Sequence, residues 1–257
     1  VITGGSSGLG FAIAKQLGIQ GFEIIILARN IHKLQIANKE LNDLNIKSYT
    51  ISCDVTSEYD LRNASDIIKE RYGSVSFLII NAGEVSTKLL VDYPSTSELK
   101  KDLEIDLWGT IQTAYFFTPL LKEDSKLLMI SSGFGLIGGA GYSVYCAAKA
   151  GVINFGESLR RELLHKKIAV YVACPGDMDT PQFQNEIKGQ PEWMKKGSAR
   201  KLMNVDKSAK LILKKCKGYS RFLIVTDVKL LMFVSRFLPV SWKNKLVDIS
   251  LPLPKYK

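Results

Sequence analysis

The sequence predicts an α/β fold, in which a doubly wound parallel sheet of about seven strands is flanked by helices. Short apolar runs alternate with amphipathic stretches of helical length, which is the pattern of βαβ units. The run at residues 77–80 is apolar on both faces, as expected for a strand buried within a parallel sheet. No internal repeat, low-complexity tract or linker divides the 257 residues, so we expect one domain over residues 1–257.

Each element follows from a local pattern. Residues 1–3 have the character of the end of a first strand, and a glycine-rich loop then leads into a helix over about residues 11–17. Further strands are predicted at residues 24–27, 48–53, 77–80, 126–130, 168–173 and 221–225. Further helices are predicted at residues 32–44, 58–72, 103–109 and 143–164. The crossovers between parallel strands should be right-handed.

The composition is that of a soluble globular protein, with 46% hydrophobic and 23% charged residues. The net charge of +10 favours anionic partners such as a polyphosphate cofactor or acidic lipid head groups. No basic stripe interleaved with aromatic residues accompanies this charge, so nucleic acid is not an expected partner. Only two histidines and four widely spaced cysteines are present, which predicts no metal site and buried, reduced thiols in a cytosolic compartment. The cysteines are Cys53, Cys146, Cys174 and Cys216.

The first candidate site is the loop after the first strand, which reads Thr3-Gly4-Gly5-Ser6-Ser7-Gly8-Leu9-Gly10. Gly4 permits a sharp turn, Gly8 lets the backbone approach a pyrophosphate, and Gly10 lets the helix pack closely on the sheet. The helix N-terminus adds N–H groups and a partial positive charge. A glycine-rich loop can also cap an ordinary turn, but its place between strand and helix favours a Rossmann-type dinucleotide site. The predicted cofactor contacts here are Gly4, Ser6, Ser7, Gly8, Leu9 and Gly10.

The end of the second strand indicates which dinucleotide is bound. A site for NAD(H) normally carries Asp or Glu there, to bind the ribose 2′-hydroxyl. This chain instead has Arg29, whose planar guanidinium suits the 2′-phosphate of NADP(H). The alternative is an ordinary surface arginine at a strand end. We therefore predict NADP(H) as the cofactor, with Asn30 and Lys33 beside Arg29 in its site.

Together with several later motifs, these residues resemble the short-chain dehydrogenase/reductase family over nearly the whole chain. The motifs are Asp54-Val55, Asn81-Ala82-Gly83, Ser132, Tyr145-x-x-x-Lys149 and Pro175-Gly176-x-x-x-Thr180. The resemblance implies that Asp54 and Val55 meet the adenine. It also implies that Asn81, Ala82 and Gly83 support the sheet centre beside the cofactor. Pro175, Gly176 and Thr180 would then contact the nicotinamide side.

The predicted catalytic residues are Ser132, Tyr145 and Lys149. Tyr145 and Lys149 are four positions apart, so on one helix they share a face. A neighbouring ammonium and the positive nicotinamide ring should lower the pKa of Tyr145, which would pass a proton to a carbonyl oxygen. Ser132 would stabilise charge on that oxygen, and Lys149 would also hold the nicotinamide ribose. The alternative for Tyr145 and Lys149 is an ordinary amphipathic helix with a solvated lysine. The alternative for the serines is that their hydroxyls bind local backbone at the strand end, and this suits Ser131 better than Ser132.

Two positions depart from the family pattern. Ile80 stands where the family usually has the first Asn of N-N-A-G, which should affect only packing. Asp106 stands where the family commonly has an Asn that anchors a water in the proton relay to the lysine. A buried Asp is costly unless Lys149 offsets its charge. We expect Asp106 to retain the relay role as a hydrogen-bonded or protonated carboxyl group.

Residues 177–215 form the predicted substrate-loop region. Their opening, Asp177-Met178-Asp179-Thr180-Pro181-Gln182-Phe183-x-x-Glu186, resembles 3-ketosphinganine reductases, as does the form of the glycine loop. The resemblance implies NADPH-dependent reduction of 3-ketosphinganine to sphinganine, at the cytosolic side of the endoplasmic reticulum in a eukaryote and otherwise in the cytoplasm. A reductase or dehydrogenase of a steroid, retinoid, acyl or xenobiotic carbonyl is the alternative. A third interpretation is a cofactor-binding regulator without catalysis, although Ser132, Tyr145 and Lys149 are intact.

Residues 227–247 are predicted to form an amphipathic segment. Its apolar positions recur at helical spacing and are Leu230, Phe233, Val234, Phe237 and Leu238. Basic residues and Trp242 flank this face, which suits either an interfacial helix on an anionic membrane or a lid over an apolar substrate. The segment is too short and too charged to span a bilayer. The family resemblance also implies homodimers or homotetramers through the helices that contain residues 106–121 and 143–164.

Overall fold

The computed structural model describes residues 1–195, 202–219 and 223–225, and the single positions 242, 245 and 248. In this part of the chain, seven strands form one sheet in the order β3-β2-β1-β4-β5-β6-β7, and every pairing is parallel. The strands are β1 (Ile2–Thr3), β2 (Ile24–Ala28), β3 (Ser48–Ser52), β4 (Val75–Ile80), β5 (Leu121–Ile130), β6 (Ala169–Cys174) and β7 (Leu223–Val225). The strand order reverses direction between β1 and β4, which makes the sheet doubly wound and confirms the predicted fold class.

Nine α-helices connect or flank the strands within the described ranges. They are α1 (Gly8–Ile19), α2 (Ile31–Asp43), α3 (Glu58–Tyr72), α4 (Thr96–Leu103), α5 (Gly109–Phe117), α6 (Ser143–Leu163), α7 (Pro181–Gly189), α8 (Glu192–Lys195) and α9 (Val205–Lys215). A single π-helical turn, Glu104–Trp108, joins α4 to α5, whereas the sequence predicted one regular helix over residues 103–109. Such turns are rare in proteins, and those that occur often lie at functional sites.

The strand and helix bounds differ from the prediction mainly at two points. Helix α1 begins at Gly8 rather than near residue 11, because the glycines of the loop already form its first turn. Strand β5 begins at Leu121 rather than at residue 126, although most of the additional residues, 121–125, are charged and exposed. Ser125 explains part of this extension, because its buried hydroxyl donates to the Val75 carbonyl oxygen at 3.0 Å, beside the register shift in β4.

The core consists of two apolar layers, one on each face of the sheet. All six residues of β6 are buried, and only Ser76 of β4 is exposed, as expected for central strands covered by helices on both sides. The cysteines in the structure are all free thiols. The predicted burial is right for Cys53, Cys174 and Cys216, whereas Cys146 is partly exposed.

The amphipathic segment predicted at residues 227–247 lies outside the described residues, apart from positions 242 and 245. Trp242 is in a helical position and is largely exposed. In the part of the chain that the structure describes, none of the helices has the length and apolar character needed to cross a membrane.

Candidate active site

A cleft of about 520 Å³ opens at the carboxyl edge of the sheet, beside the switch point between β1 and β4. It brings together nearly all the residues predicted for the site. They are Gly4, Ser6, Ser7, Gly8, Leu9, Arg29, Asn30, Lys33, Asp54, Val55, Asn81, Ala82, Gly83, Ser132, Tyr145, Lys149, Pro175, Gly176 and Thr180. Two predicted residues, Gly10 and Asp106, do not line the cleft but lie directly behind it.

The glycine loop has a backbone that only glycine accommodates easily. Gly4 and Gly8 have positive φ angles of 63° and 54°. A Cβ atom on Gly10 would lie 2.4 Å from the Gly4 carbonyl oxygen, so Gly10 serves the close packing of loop and helix rather than the cleft wall. Helix α1 begins at Gly8 on the cleft wall, and its first-turn N–H groups have no acceptor within the helix. This geometry fits a pyrophosphate group.

Asn81 holds the glycine loop against the end of β4. Its side-chain nitrogen donates to the carbonyl oxygens of Thr3 and Gly4, both at 3.2 Å. The Thr3 hydroxyl in turn accepts from the backbone nitrogens of Asn81 and Ala82, at 3.0 and 3.2 Å. These bonds fix the loop over the switch point of the sheet.

Arg29 follows β2 and lines the same cleft as the glycine loop. Its guanidinium forms an ion pair with Glu84, and a second nitrogen lies 3.9 Å from Asp54 Oδ2. Asn30, predicted as a cofactor contact, caps α2, because its side-chain oxygen accepts from the backbone nitrogen of Lys33 at 2.9 Å. That bond holds the turn from which Arg29 projects.

Ser132 and Tyr145 form the centre of the candidate catalytic site. Ser132 follows β5, Tyr145 lies in the first turn of α6, and both residues line the cleft. Ser131 has a different role, because its hydroxyl donates to the Lys149 carbonyl oxygen at 2.7 Å and is buried. Both serines border the cleft, but the Ser131 hydroxyl is bound to the backbone, so Ser132 is the candidate partner of Tyr145.

The pKa of Tyr145 does not follow the expectation from the sequence. Burial raises the pKa of Tyr145 well above its ordinary value, and the nearby Asp106 carboxylate raises it further, while the bond from Ser132 lowers it. The expectation also included the positive nicotinamide ring of the cofactor, which is not part of this balance. The Lys149 ammonium is paired with the opposite charge of Asp106.

Asp106 and Lys149 form a buried ion pair. Asp106 Oδ1 lies 2.9 Å from Lys149 Nζ, and the side chains are 0% and 5% exposed. Lys149 also donates to the Ile130 carbonyl oxygen at 3.4 Å, and the backbone nitrogen of Glu84 donates to Asp106 Oδ1 at 3.3 Å. Burial raises the pKa of Asp106 to about 6, while Lys149 lowers it. Among the described residues, Asp106 Oδ2 is buried without a hydrogen-bond partner.

Sequence comparison identifies the family. The model of the short chain dehydrogenase family matches residues 1–191. The chain belongs to this family. Its members are oxidoreductases, so the cleft described above is the candidate active site of a short-chain dehydrogenase.

Two curated relatives illustrate the range of activities near this chain. The 3-oxoacyl-[acyl-carrier-protein] reductase of Bos taurus is 34% identical over 181 residues, which are 70% of this chain and 75% of the relative. The 3-dehydrosphinganine reductase of Arabidopsis thaliana is 33% identical over 197 residues, 74% of this chain but only 58% of the relative. A short chain dehydrogenase/reductase from Burkholderia phymatum, solved in complex with NAD, has a TM-score of 0.82. It is 18% identical and covers 100% of this chain and 96% of its own, so it supports the fold alone.

The wall of the short-chain dehydrogenase cleft beyond Tyr145 includes residues that the sequence did not single out. Tyr142 is buried one turn before Tyr145, and its ring stacks on Phe134 with 4.4 Å between ring centroids. Its hydroxyl donates to Glu186 and accepts from Gln190 Nε2 at 3.0 Å. Tyr142 could have been found from its spacing on the helix face of Tyr145.

Proposed function

We propose that this chain is an NADP(H)-dependent oxidoreductase that reduces a carbonyl group to an alcohol. The observation that carries the proposal is that Ser132, Tyr145 and Lys149 line one cleft, with Asp106 paired to Lys149 behind it. The cofactor, when bound, supplies the hydride for the carbonyl carbon. Tyr145 gives its hydroxyl proton to the carbonyl oxygen, and Ser132 donates a hydrogen bond to that oxygen as negative charge develops.

The chain offers a fitting site for NADP(H). The glycine loop and the start of α1 would hold the pyrophosphate, because both line the cleft and the first N–H groups of α1 have no acceptor within the helix. Arg29 would hold the 2′-phosphate, since a guanidinium makes charge-assisted, bidentate bonds to phosphate oxygens. Lys149, on the cleft wall next to Tyr145, would hold the nicotinamide ribose.

The proposed substrate is a 3-keto group on a long-chain base, namely 3-ketosphinganine. The substrate end of the cleft is lined by the rings of Phe134, Tyr142 and Phe183, which suit an apolar chain. The segment from Asp177 to Glu186 resembles 3-ketosphinganine reductases, and a relative with that activity in its name is 33% identical. We also propose residues 177–215 as the substrate loop, since its helix α7 contributes Phe183 and Glu186 to the cleft.

A 3-oxoacyl thioester is the second candidate substrate. The bovine 3-oxoacyl-[acyl-carrier-protein] reductase is 34% identical, which is comparable to the sphinganine relative. Both candidates carry a ketone at carbon 3 that is followed by an alkyl chain, so the same apolar wall would suit either. The two differ in the head group, which is an amino alcohol in one and a thioester in the other.

Substrate-dependent oxidation of NADPH tests the proposal. The purified chain is mixed with 3-ketosphinganine in detergent micelles, and a 3-oxoacyl thioester, a short generic ketone and NADH serve as comparators. Turnover with 3-ketosphinganine and NADPH supports the primary proposal. Turnover with only the thioester or the short ketone rejects the sphingolipid substrate and retains the reductase. Absence of turnover with every carbonyl, while NADPH still binds, would favour a cofactor-binding regulator.

We also propose that the chain forms a homo-oligomer and that it contacts a membrane surface. Family resemblance favours homodimers or homotetramers, and α5 presents an exposed Tyr115 that an adjoining subunit could cover. Membrane contact through residues 227–247 rests on their sequence pattern alone.

A further inference from the structure

The charges that surround Arg29 suggest a determinant of cofactor preference beyond the arginine itself. Arg29 follows β2, and Glu84 lies in the loop after β4, so the ion pair between them passes over the end of β1, which separates the two strands in the sheet. Both residues line the cleft, and their side chains are equally exposed, at 52% each. Arg29 also has Asp54 at 3.9 Å, so two carboxylates approach one guanidinium.

We propose that Glu84 is a specificity-determining residue that competes with the 2′-phosphate of the cofactor for Arg29. The inference rests on the proposed NADP(H) site, and it deepens that proposal by naming what the phosphate must displace. A 2′-phosphate carries a charge of about −2. It therefore repels the Glu84 carboxylate and binds the Arg29 guanidinium that Glu84 already occupies. NAD(H) has no such group and does not enter this competition. Glu84 therefore lowers the affinity for NADP(H) and leaves that for NAD(H) unchanged, which reduces the preference that Arg29 creates.

The position of Glu84 makes this side chain separable from the catalytic centre. Its backbone nitrogen donates to Asp106 Oδ1 at 3.3 Å, but its carboxylate points to Arg29. Replacement of Glu84 by Gln retains the backbone donor and the side-chain shape and removes only the negative charge. An exposed ion pair contributes little to stability, so the Glu84→Gln variant should fold normally.

The test measures binding of two cofactor fragments, adenosine 2′,5′-bisphosphate and 5′-AMP, by calorimetry. These probes share the adenosine and differ in the 2′-phosphate, and neither requires catalysis. For Glu84→Gln we expect the Kd of the bisphosphate to fall about two- to fivefold, the range that an exposed ion pair allows, while the Kd of 5′-AMP stays the same. In an Arg29→Ala background, the same substitution should lower the Kd of the bisphosphate by a smaller factor, because only the direct repulsion between phosphate and carboxylate is then relieved, and the Kd of 5′-AMP should again stay the same.

Glu123→Gln is the matched control, because Glu123 forms an exposed ion pair with Lys167 at the other end of β5, away from the cleft. It changes the net charge equally and should not affect either Kd. An unchanged or higher Kd of the bisphosphate in Glu84→Gln, or an equal fall for both probes, would overturn the role of Glu84 and leave the reductase proposal standing. Equal affinity of the unmodified chain for both probes would instead remove the NADP(H) preference itself, and the inference with it.

Discussion

Asp106 Oδ1 lies 2.9 Å from Lys149 Nζ, in an ion pair whose two side chains are almost wholly buried. The pair lies behind Tyr145, and the Lys149 ammonium is 5.5 Å from the centre of the Tyr145 ring. The negative charge of Asp106 therefore acts against the positive charge that would otherwise favour a Tyr145 phenolate. The family resemblance implies a neutral Asn at this position, and compared with such an Asn the Asp106 carboxylate makes the surroundings of Tyr145 more negative.

Replacement of Asp106 by Asn should retain or raise turnover and shift its pH dependence. Without the Asp106 charge, the pKa of Tyr145 falls, because that charge is one of the causes that raise it. Tyr145 must be deprotonated for alcohol oxidation and protonated for carbonyl reduction. The rise of the oxidation rate with pH, and the fall of the reduction rate, should both move to lower pH. Rates measured from pH 5 to pH 11 in both directions check this.

The unmodified chain should show one further inflection that the Asn variant lacks. Burial raises the pKa of Asp106 to about 6, so its carboxyl group gains a proton as the pH falls through this value. Loss of all turnover in a folded Asp106→Asn variant that still binds NADPH would contradict the relay role proposed for this position.

Tyr145→Phe should lower turnover at least about 100-fold, because the proton donor to the carbonyl oxygen is lost. The ring and its packing against Tyr142 are retained, with 6.4 Å between the ring centroids. NADPH affinity, measured by fluorescence titration, should therefore change little. Substantial residual turnover in this variant would mean that another group supplies the proton.

Arg29→Ala should weaken NADPH binding by about 10- to 100-fold, which is the range for hydrogen bonds to a charged group. NADH binding should change little, since it offers no 2′-phosphate to Arg29. The measurement is the ratio of the Kd values for the two cofactors. A parallel loss of affinity for both would assign Arg29 a structural role at the end of β2 instead.

The elements that the sequence predicted well are those with local signals at their ends. Helix α3 has the predicted bounds because Ser57 caps its first turn and Gly73 adopts a left-handed conformation after its last. The glycine loop and the Tyr145–Lys149 spacing are equally local, and the structure places both on one cleft. The start of β5 was missed because its charged residues resemble a loop, and it is set by pairing with β4.

Two relationships at the site required the three-dimensional structure. The sequence identified Asp106 as unusual and Lys149 as a possible compensating charge, but not that they touch directly. Glu84 carried no signal beyond its place after Asn81-Ala82-Gly83, and exposed ion pairs such as Arg29–Glu84 depend on which loops the sheet order brings together. The cleft wall around Tyr142 likewise depends on how α7 folds back over α6.

Gly83→Ala tests whether the buried ion pair needs the close approach of the loop after β4. A Cβ atom at this position would lie 2.4 Å from Asp106 Oδ1 and 3.1 Å from Lys149 Nζ, so the pair would have to move. Because Lys149 lies next to Tyr145, a displacement of this size should lower kcat on the order of 100-fold. Gly138→Ala is the control, since a Cβ atom at this exposed glycine meets nothing within 4 Å. Equal kcat values for the two variants would show that the position of the Asp106–Lys149 pair does not limit the reaction.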